Sequence, residues 1–249
     1  MTRPTVLITG ASAGIGAATA QLAARAGYDV AIHYNSDRDG AARVAETVEK
    51  EGGSALLIQG DVSNSEDISR MFLEFDAQFS RMDALVNNAG IVDRSSRVDQ
   101  MTPERLERII SVNLTGAILV AKEGVLRMST AHGGQGGAIV NLSSVAAVLG
   151  AANQYVDYAA AKAGIDTLTK GLAHEVATEG VRVNAVRPGI IDTEIHAKGG
   201  LPNRAVDLAP LVPMKRAGTA IEVAEAILWL LSDKASYVTG TVLDVSGGR

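Results

Sequence analysis

The chain has 249 residues, 47% of them hydrophobic and 20% charged, with a formal net charge of −5 and no cysteine. The length suits one large α/β domain with a sizeable core, and the composition excludes disorder as the default state. The acidic balance, with no run of Lys or Arg, argues against a nucleic-acid or anionic-membrane partner, and the missing Cys excludes disulfides, thiolate metal sites and Cys nucleophiles.

The chain starts in a strand-like run within a few residues, "MTRPTVLITG", which leaves no room for a signal peptide. No apolar stretch is expected to approach the ~20 residues that span a bilayer. The expected location is therefore the cytoplasm. Strand-like runs at 5–9, 28–34, 54–60, 83–88, 137–144, 181–189 and 241–247 alternate with helical patterns at 14–26, 38–51, 65–79, 103–128, 155–178 and 221–232. Short β-branched runs between longer helices predict a doubly wound parallel sheet of seven strands with helices on both faces, in a single domain over 1–249. The segment 190–217 has no clear periodicity and carries Pro202, Pro210 and Pro213. A stretch that long between regular elements reads as a lid over a site.

The first strand-to-helix junction, "LITGASAGIGAATAQ", places Gly10, Gly14 and Gly16 beside Ser12 and Ile15. Glycines allow a tight turn and a close backbone approach to a pyrophosphate, and the helix N-terminus offers free N–H groups and a favourable dipole. An ordinary glycine-rich turn has the same composition, so position at the first βα junction is what favours dinucleotide binding. An acid at the end of the second strand would read an adenosine ribose 2′-hydroxyl. Tyr34 and Asn35 stand there instead, with Arg38 near enough to meet a 2′-phosphate and Asp37 beside it. NADP(H) is favoured over NAD(H), which stays possible.

Tyr158 and Lys162, in "YVDYAAAKAG", lie four residues apart and so share a helix face. A nearby ammonium favours the phenolate and lowers a phenol pKa from about 10. Tyr155 has no cation at that offset and reads as a pocket wall or packing residue. The four histidines, His33, His132, His174 and His196, show no metal spacing and read as structural or solvated, with His196 in the lid given some functional chance. No metal site is expected.

"TGASAGIG" (9–16), "NNAG" (87–90), "VNL" (112–114), "NLSS" (141–144), "YAAAK" (158–162) and "RPGIIDT" (187–193) follow one another in this order. Together they resemble the short-chain dehydrogenase/reductase family over effectively the whole chain, in the branch of 3-oxoacyl-carrier-protein reductases and glucose dehydrogenases. The resemblance implies a Rossmann-like fold, a nicotinamide cofactor, a carbonyl or secondary-alcohol substrate and a catalytic set of Asn113, Ser144, Tyr158 and Lys162. Ser143 stands as a rival for the serine. It further implies cofactor contacts from Asp61 and Val62, from Asn87, Ala89 and Gly90, and from Pro188, Gly189, Ile190 and Thr193. Ala13 departs from the basic residue that many NADP-preferring relatives carry in the glycine turn. A homotetramer is the implied assembly, with a dimer next. The competing reading is a dinucleotide-sensing protein that keeps the fold without catalysis, and the presence of both Tyr158 and Lys162 counts against it.

Overall fold

The computed structural model describes residues 3–194, 199–201 and 203–249. Seven strands form one parallel sheet: β1 (Thr5–Ile8), β2 (Asp29–Tyr34), β3 (Ala55–Gln59), β4 (Ala84–Asn87), β5 (Gly137–Leu142), β6 (Val181–Pro188) and, at the C-terminus, a strand over Val242–Val245. Each falls within a run that alternation and β-branching predict. The order across the sheet is β3-β2-β1-β4-β5-β6 followed by the C-terminal strand. Between β1 and β4 the direction of winding reverses, so two βα loops splay apart there and open a crevice at the carboxyl ends of the strands.

The sheet is buried on both faces, which is why its strands read as apolar runs. Val6 and Ile8 of β1 point to one side and Leu7 to the other, as the two-residue strand period requires. On the first side lie α1 (Gly14–Arg25), α2 (Arg38–Lys50) and a C-terminal helix over Ala220–Leu231; their small apolar residues, Ala20, Ala23, Ala24 and Ile227, let them sit close on the strands. The other side carries α3 (Ser65–Gln78) and a long helical stretch over 103–128, where Met71, Phe72 and Phe75 supply bulk.

That stretch is not one regular helix. It comprises α4 (Pro103–Ile110), a π-helical turn (Ser111–Gly116) and α5 (Ala117–Met128). By length and composition alone it is long and apolar enough to cross a membrane, as core helices also can be, which corrects the expectation that no stretch comes near that size. It packs instead on the sheet, with Ile109, Val120, Ala121 and Met128 buried.

After β5 come α6 (Ala146–Leu149) and the 21-residue α7 (Val156–Val176). The N-terminus of α7 is held by a forked ion pair: Arg105 Nε and Nη2 reach the two carboxylate oxygens of Asp157 at 2.7 and 3.2 Å. The segment read as an irregular lid has structure of its own. It contains β7 (Ile191–Asp192), α8 (Arg204–Leu208) and β8 (Gly218–Thr219), with β7 and β8 paired in a second, two-stranded sheet. The helix over Ala220–Leu231 is then α9, with a capping box between Thr219 and Glu222, and the C-terminal strand is β9. His196 lies outside the described residues.

Candidate active site

The turn between β1 and α1 is built on close contact. Gly10 has φ +64°, and a Cβ on it would stand 2.9 Å from Ala89 Cα; a Cβ on Gly16 would stand 2.5 Å from the Gly10 carbonyl. Neither position admits a side chain without moving backbone. The turn is then pinned from two directions. Asn88 Nδ2 donates to the Thr9 and Gly10 carbonyls at 2.7 and 3.0 Å. The buried His33 ring accepts from the Gly10 N–H at Nδ1 (3.0 Å) and donates from Nε2 to the Gly60 carbonyl (3.1 Å). Burial drives the His33 pKa down to about 4, so the ring stays neutral and keeps both bonds.

α2, α3, α4 and α9 begin with a side-chain cap from Asp37, Asn64, Thr102 and Thr219. α1 begins at Ala13 with no side-chain cap and no acid in its first turn. Its leading N–H groups therefore face outward at the positive end of the helix, a fitting seat for a phosphate diester. The residues present thus fit a dinucleotide.

Beyond the turn, at the carboxyl ends of β4, β5 and β6, opens a cavity of about 360 Å³. Ile15, Asn88, Gly90, Ser144, Tyr158 and Lys162 all contribute to its wall, with Pro188, Gly189, Ile190 and Thr193 on the β6 side. Tyr158 and Lys162 face it from one side of α7, and the Lys162 ammonium stands 5.6 Å from the centre of the Tyr158 ring. Lys162 is buried and donates from Nζ to the Leu142 carbonyl at 2.6 Å.

The electrostatics depart from the sequence expectation. Burial pushes the Tyr158 phenol up to about 12, opposed by a hydrogen bond from Ser144. Burial also brings the Lys162 amine down to about 8, with the Asp166 charge acting the other way. A phenol raised in this way is protonated at neutral pH and poised to donate.

The two serines have different partners. Ser143 donates to the Lys162 carbonyl at 3.2 Å, inside the core. Ser144 Oγ accepts from the Ala146 N–H at 3.1 Å, which leaves its own proton for the Tyr158 oxygen. Asn113, fully buried in the π turn, accepts from the Ile91 N–H and donates to the Ile91 and Ile109 carbonyls. A Cβ on Gly90 would stand 2.8 Å from Asn113 Oδ1 and 3.6 Å from Lys162 Nζ. Glycine at 90 is what lets these two polar groups converge behind the cavity, and the extra residue of the π turn is what aims Asn113 inward.

Comparison with known proteins places the chain in a family. The profile of the family described as Enoyl-(Acyl carrier protein) reductase matches residues 10–249. The uncharacterized oxidoreductase YgfF of Escherichia coli (strain K12) is 51% identical over 243 residues, 98% of each chain. The chain belongs to the short-chain dehydrogenase/reductase family. A 3beta-hydroxysteroid dehydrogenase of Eggerthella lenta is 41% identical over 98% of this chain and 92% of its own. Among solved structures, the 3-ketoacyl-(acyl-carrier-protein) reductase of Brucella melitensis, complexed with NADH, superposes with a TM-score of 0.90 at 32% identity, covering 99% of this chain and 98% of that one.

In this short-chain dehydrogenase/reductase the expected residues divide between the cavity and its approaches. Gly10, Ser12, Gly14 and Gly16 form the turn, and a Cβ on Gly14 would come within 3.5 Å of Thr193 Cγ2, so the turn and the segment after β6 meet. Asn35 lies exposed just past β2, while the Tyr34 ring is buried in the core. Asp61 accepts from the backbone and hydroxyl of Ser63, and Val62 is buried next to it. Ala89 packs under Gly10.

Asn87 is placed away from the cavity. Its amide donates to the Ala117 carbonyl and to Asn141 inside the core, and Asn88 takes the position in the wall. The adjacent pair "NN" carries no sign of which amide faces which way. Tyr155 lines the cavity as well as packing, and Arg204, which sequence reasoning passed over, lies above its ring at 5.2 Å.

Proposed function

We propose that this enzyme transfers a hydride between NADP(H) and a carbonyl or secondary-alcohol substrate, with Tyr158 as the acid/base. The observation that carries this reading is the convergence of three groups on one cavity wall: the Tyr158 phenol, the Ser144 hydroxyl bonded to it, and the Lys162 ammonium 5.6 Å from the ring. The cofactor, when bound, supplies or accepts the hydride; the chain's residues manage the oxygen and its proton.

In reduction, Ser144 turns its one hydroxyl proton from the Tyr158 oxygen to the substrate oxygen and stabilises the charge that develops there. Tyr158 gives that oxygen its proton. A phenol held near 12 is a weak acid against water, yet an alkoxide is a far stronger base than phenolate, so transfer runs downhill once charge has built up. Lys162, next to the phenol, offsets the negative charge left on Tyr158. Asn113 keeps the Gly90–Ile91 backbone and the base of the cavity fixed.

NADP(H) is the favoured cofactor because no free carboxylate stands where β2 ends. Asn35 is exposed there, the Asp37 carboxylate accepts from the Gly40 N–H at 2.9 Å as the cap of α2, and the Arg38 side chain is exposed. Following the loss of reduced-nicotinamide absorbance across a panel of aldehydes and ketones tests the whole reading. Turnover with kcat/KM for NADPH about tenfold or more above that for NADH is expected, the worth of one charge-assisted contact. Equal use of both, or a preference for NADH, would refute the cofactor assignment, and no turnover with any carbonyl would refute the activity.

The enzyme is further proposed to be a homotetramer. Leu106, Ile118 and Leu126 leave an apolar stripe exposed along α4 and α5, the kind of surface that subunit contact covers. Light scattering is expected to give about four times the 25.8 kDa chain mass, and a monomer or dimer would refute this.

A further inference from the structure

The cavity that holds Tyr158 is lined by cations. Lys162, Arg204 and Arg249 all line it, and among the described residues no Asp or Glu does. The other arginines that are held by side chains on the sheet and its helices meet acids, Arg105 with Asp157, Arg187 with Asp166 and Arg127 with Asp76 and Glu123, whereas among the described residues Arg38 and Arg43 are unpaired on the surface. Among the described residues neither Arg204 nor Arg249 has a carboxylate partner. Arg249 goes further, with Nη1 buried and no hydrogen-bond acceptor. Arg249 is itself only half-buried, but a guanidinium N–H turned away from water with no acceptor is costly, and an anionic ligand would satisfy it.

Arg204 is also oriented. Its Nη2 donates to Gln154 Oε1 at 2.7 Å, and its guanidinium carbon stands 5.2 Å from the centre of the Tyr155 ring. Two neighbours thus fix the plane while using one of five N–H donors, and the free edge of the fork matches two coplanar oxygens. Tyr155 precedes Tyr158 by less than one helical turn, so the guanidinium sits beside the reacting end of the cavity. The volume of about 360 Å³ has to admit both the reactive ring of the cofactor and the substrate, which keeps the substrate small.

We propose that the substrate is a short oxo or hydroxy carboxylate, its carboxylate held by Arg204 with Arg249 behind it. This rests on the hydride-transfer reading above and deepens it by naming the substrate class. Tyr158 and Ser144 take the carbonyl end and Arg204 takes the acid end, so one molecule bridges the two sides of the cavity.

The test compares 4-oxopentanoate and 4-oxocyclohexanecarboxylate with their methyl esters, by kinetics and by calorimetric binding, on wild type, Arg204→Gln, Arg204→Lys and Arg249→Gln. Wild type is expected to favour each acid over its ester by roughly tenfold or more in kcat/KM and in Kd. Arg204→Gln should collapse that ratio towards one, through KM, and Arg204→Lys should restore part of it, because the charge returns without the fork. Arg249→Gln should lower the ratio to a smaller extent. Equal handling of acid and ester by wild type overturns the proposal without any variant, and so does a ratio that Arg204→Gln leaves intact. Hydride transfer without acid preference leaves the function standing and removes the substrate class. Selective acid binding without hydride transfer does the reverse. Absence of both binding and turnover of the acids overturns the proposal as well.

Discussion

Replacing Tyr158 with Phe is expected to lower kcat for carbonyl reduction by roughly 10²–10⁴-fold while leaving the cofactor dissociation constant within about twofold, the range a single positioned proton donor supplies. The ring remains, so the packing of α7 against α6 remains. Only the hydroxyl is lost, together with its bond from Ser144. Tyr155→Phe is the control. That residue has the same chemistry less than one turn earlier, but its ring lies under the Arg204 guanidinium and away from Lys162. Its loss is expected to change kcat only a few-fold. Stopped-flow turnover alongside cofactor fluorescence titration separates the two effects. Equal losses in the two variants would strip Tyr158 of its assigned role.

That distinction was available from spacing alone, because i and i+4 share a helix face whatever the rest of the fold does. The strands and main helices were legible for a similar reason: each is decided by local periodicity and by glycine or a cap residue at its ends. What was hidden depends on contacts distant in sequence. β7 and β8 are two residues each and exist only because Ile191 and Gly218 meet across the intervening segment. The π turn falls on SVNLTG, where Ser, Val, Asn, Thr and Gly are weak helix formers, but nothing in that composition tells a π turn from a loop or a break. Asn87 ends β4 and turns its amide into the core, while Asn88, the next residue, turns its amide to the glycine turn, and the pair "NN" does not say which does which.

The direction of the Tyr158 pKa was misjudged because the sequence shows the cation but not the burial. Desolvation outweighs the Ser144 hydrogen bond at Tyr158 and the Asp166 charge at Lys162, moving one up to about 12 and the other down to about 8. Arg204 was illegible altogether, since its importance lies in the absence of a carboxylate nearby, and absence in space has no sequence signature.

The depressed Lys162 value gives the sharpest test of the pair, because activity and stability should respond to pH in opposite senses. Activity first: the ammonium that offsets the Tyr158 charge exists below about pH 8 and is lost above it. Reductive kcat/KM is therefore expected to hold level to about pH 8 and then fall. Lys162→Met should lower it ~10²-fold or more at pH 7 and remove that limb. Lys162→Arg, which stays charged throughout, should keep part of the activity and carry it past pH 9. Stability runs the other way. The amine titrates at 10.5 when free of the fold and about 8 within it, so between those values the unfolded chain holds a proton that the folded chain has released. Stability then rises with pH across that window, by on the order of 3 kcal/mol for this one group. Tyr158 opposes the trend only from pH 10 upward, where the folded chain keeps a proton that the unfolded chain gives up. Urea midpoints of wild type and Lys162→Met, measured from pH 7 to pH 10, are expected to differ most at pH 7, with the methionine variant the more stable, and to converge as the amine discharges. A gap that stays constant with pH would mean that Lys162 keeps its proton throughout, and the alkaline fall in activity would then need another group.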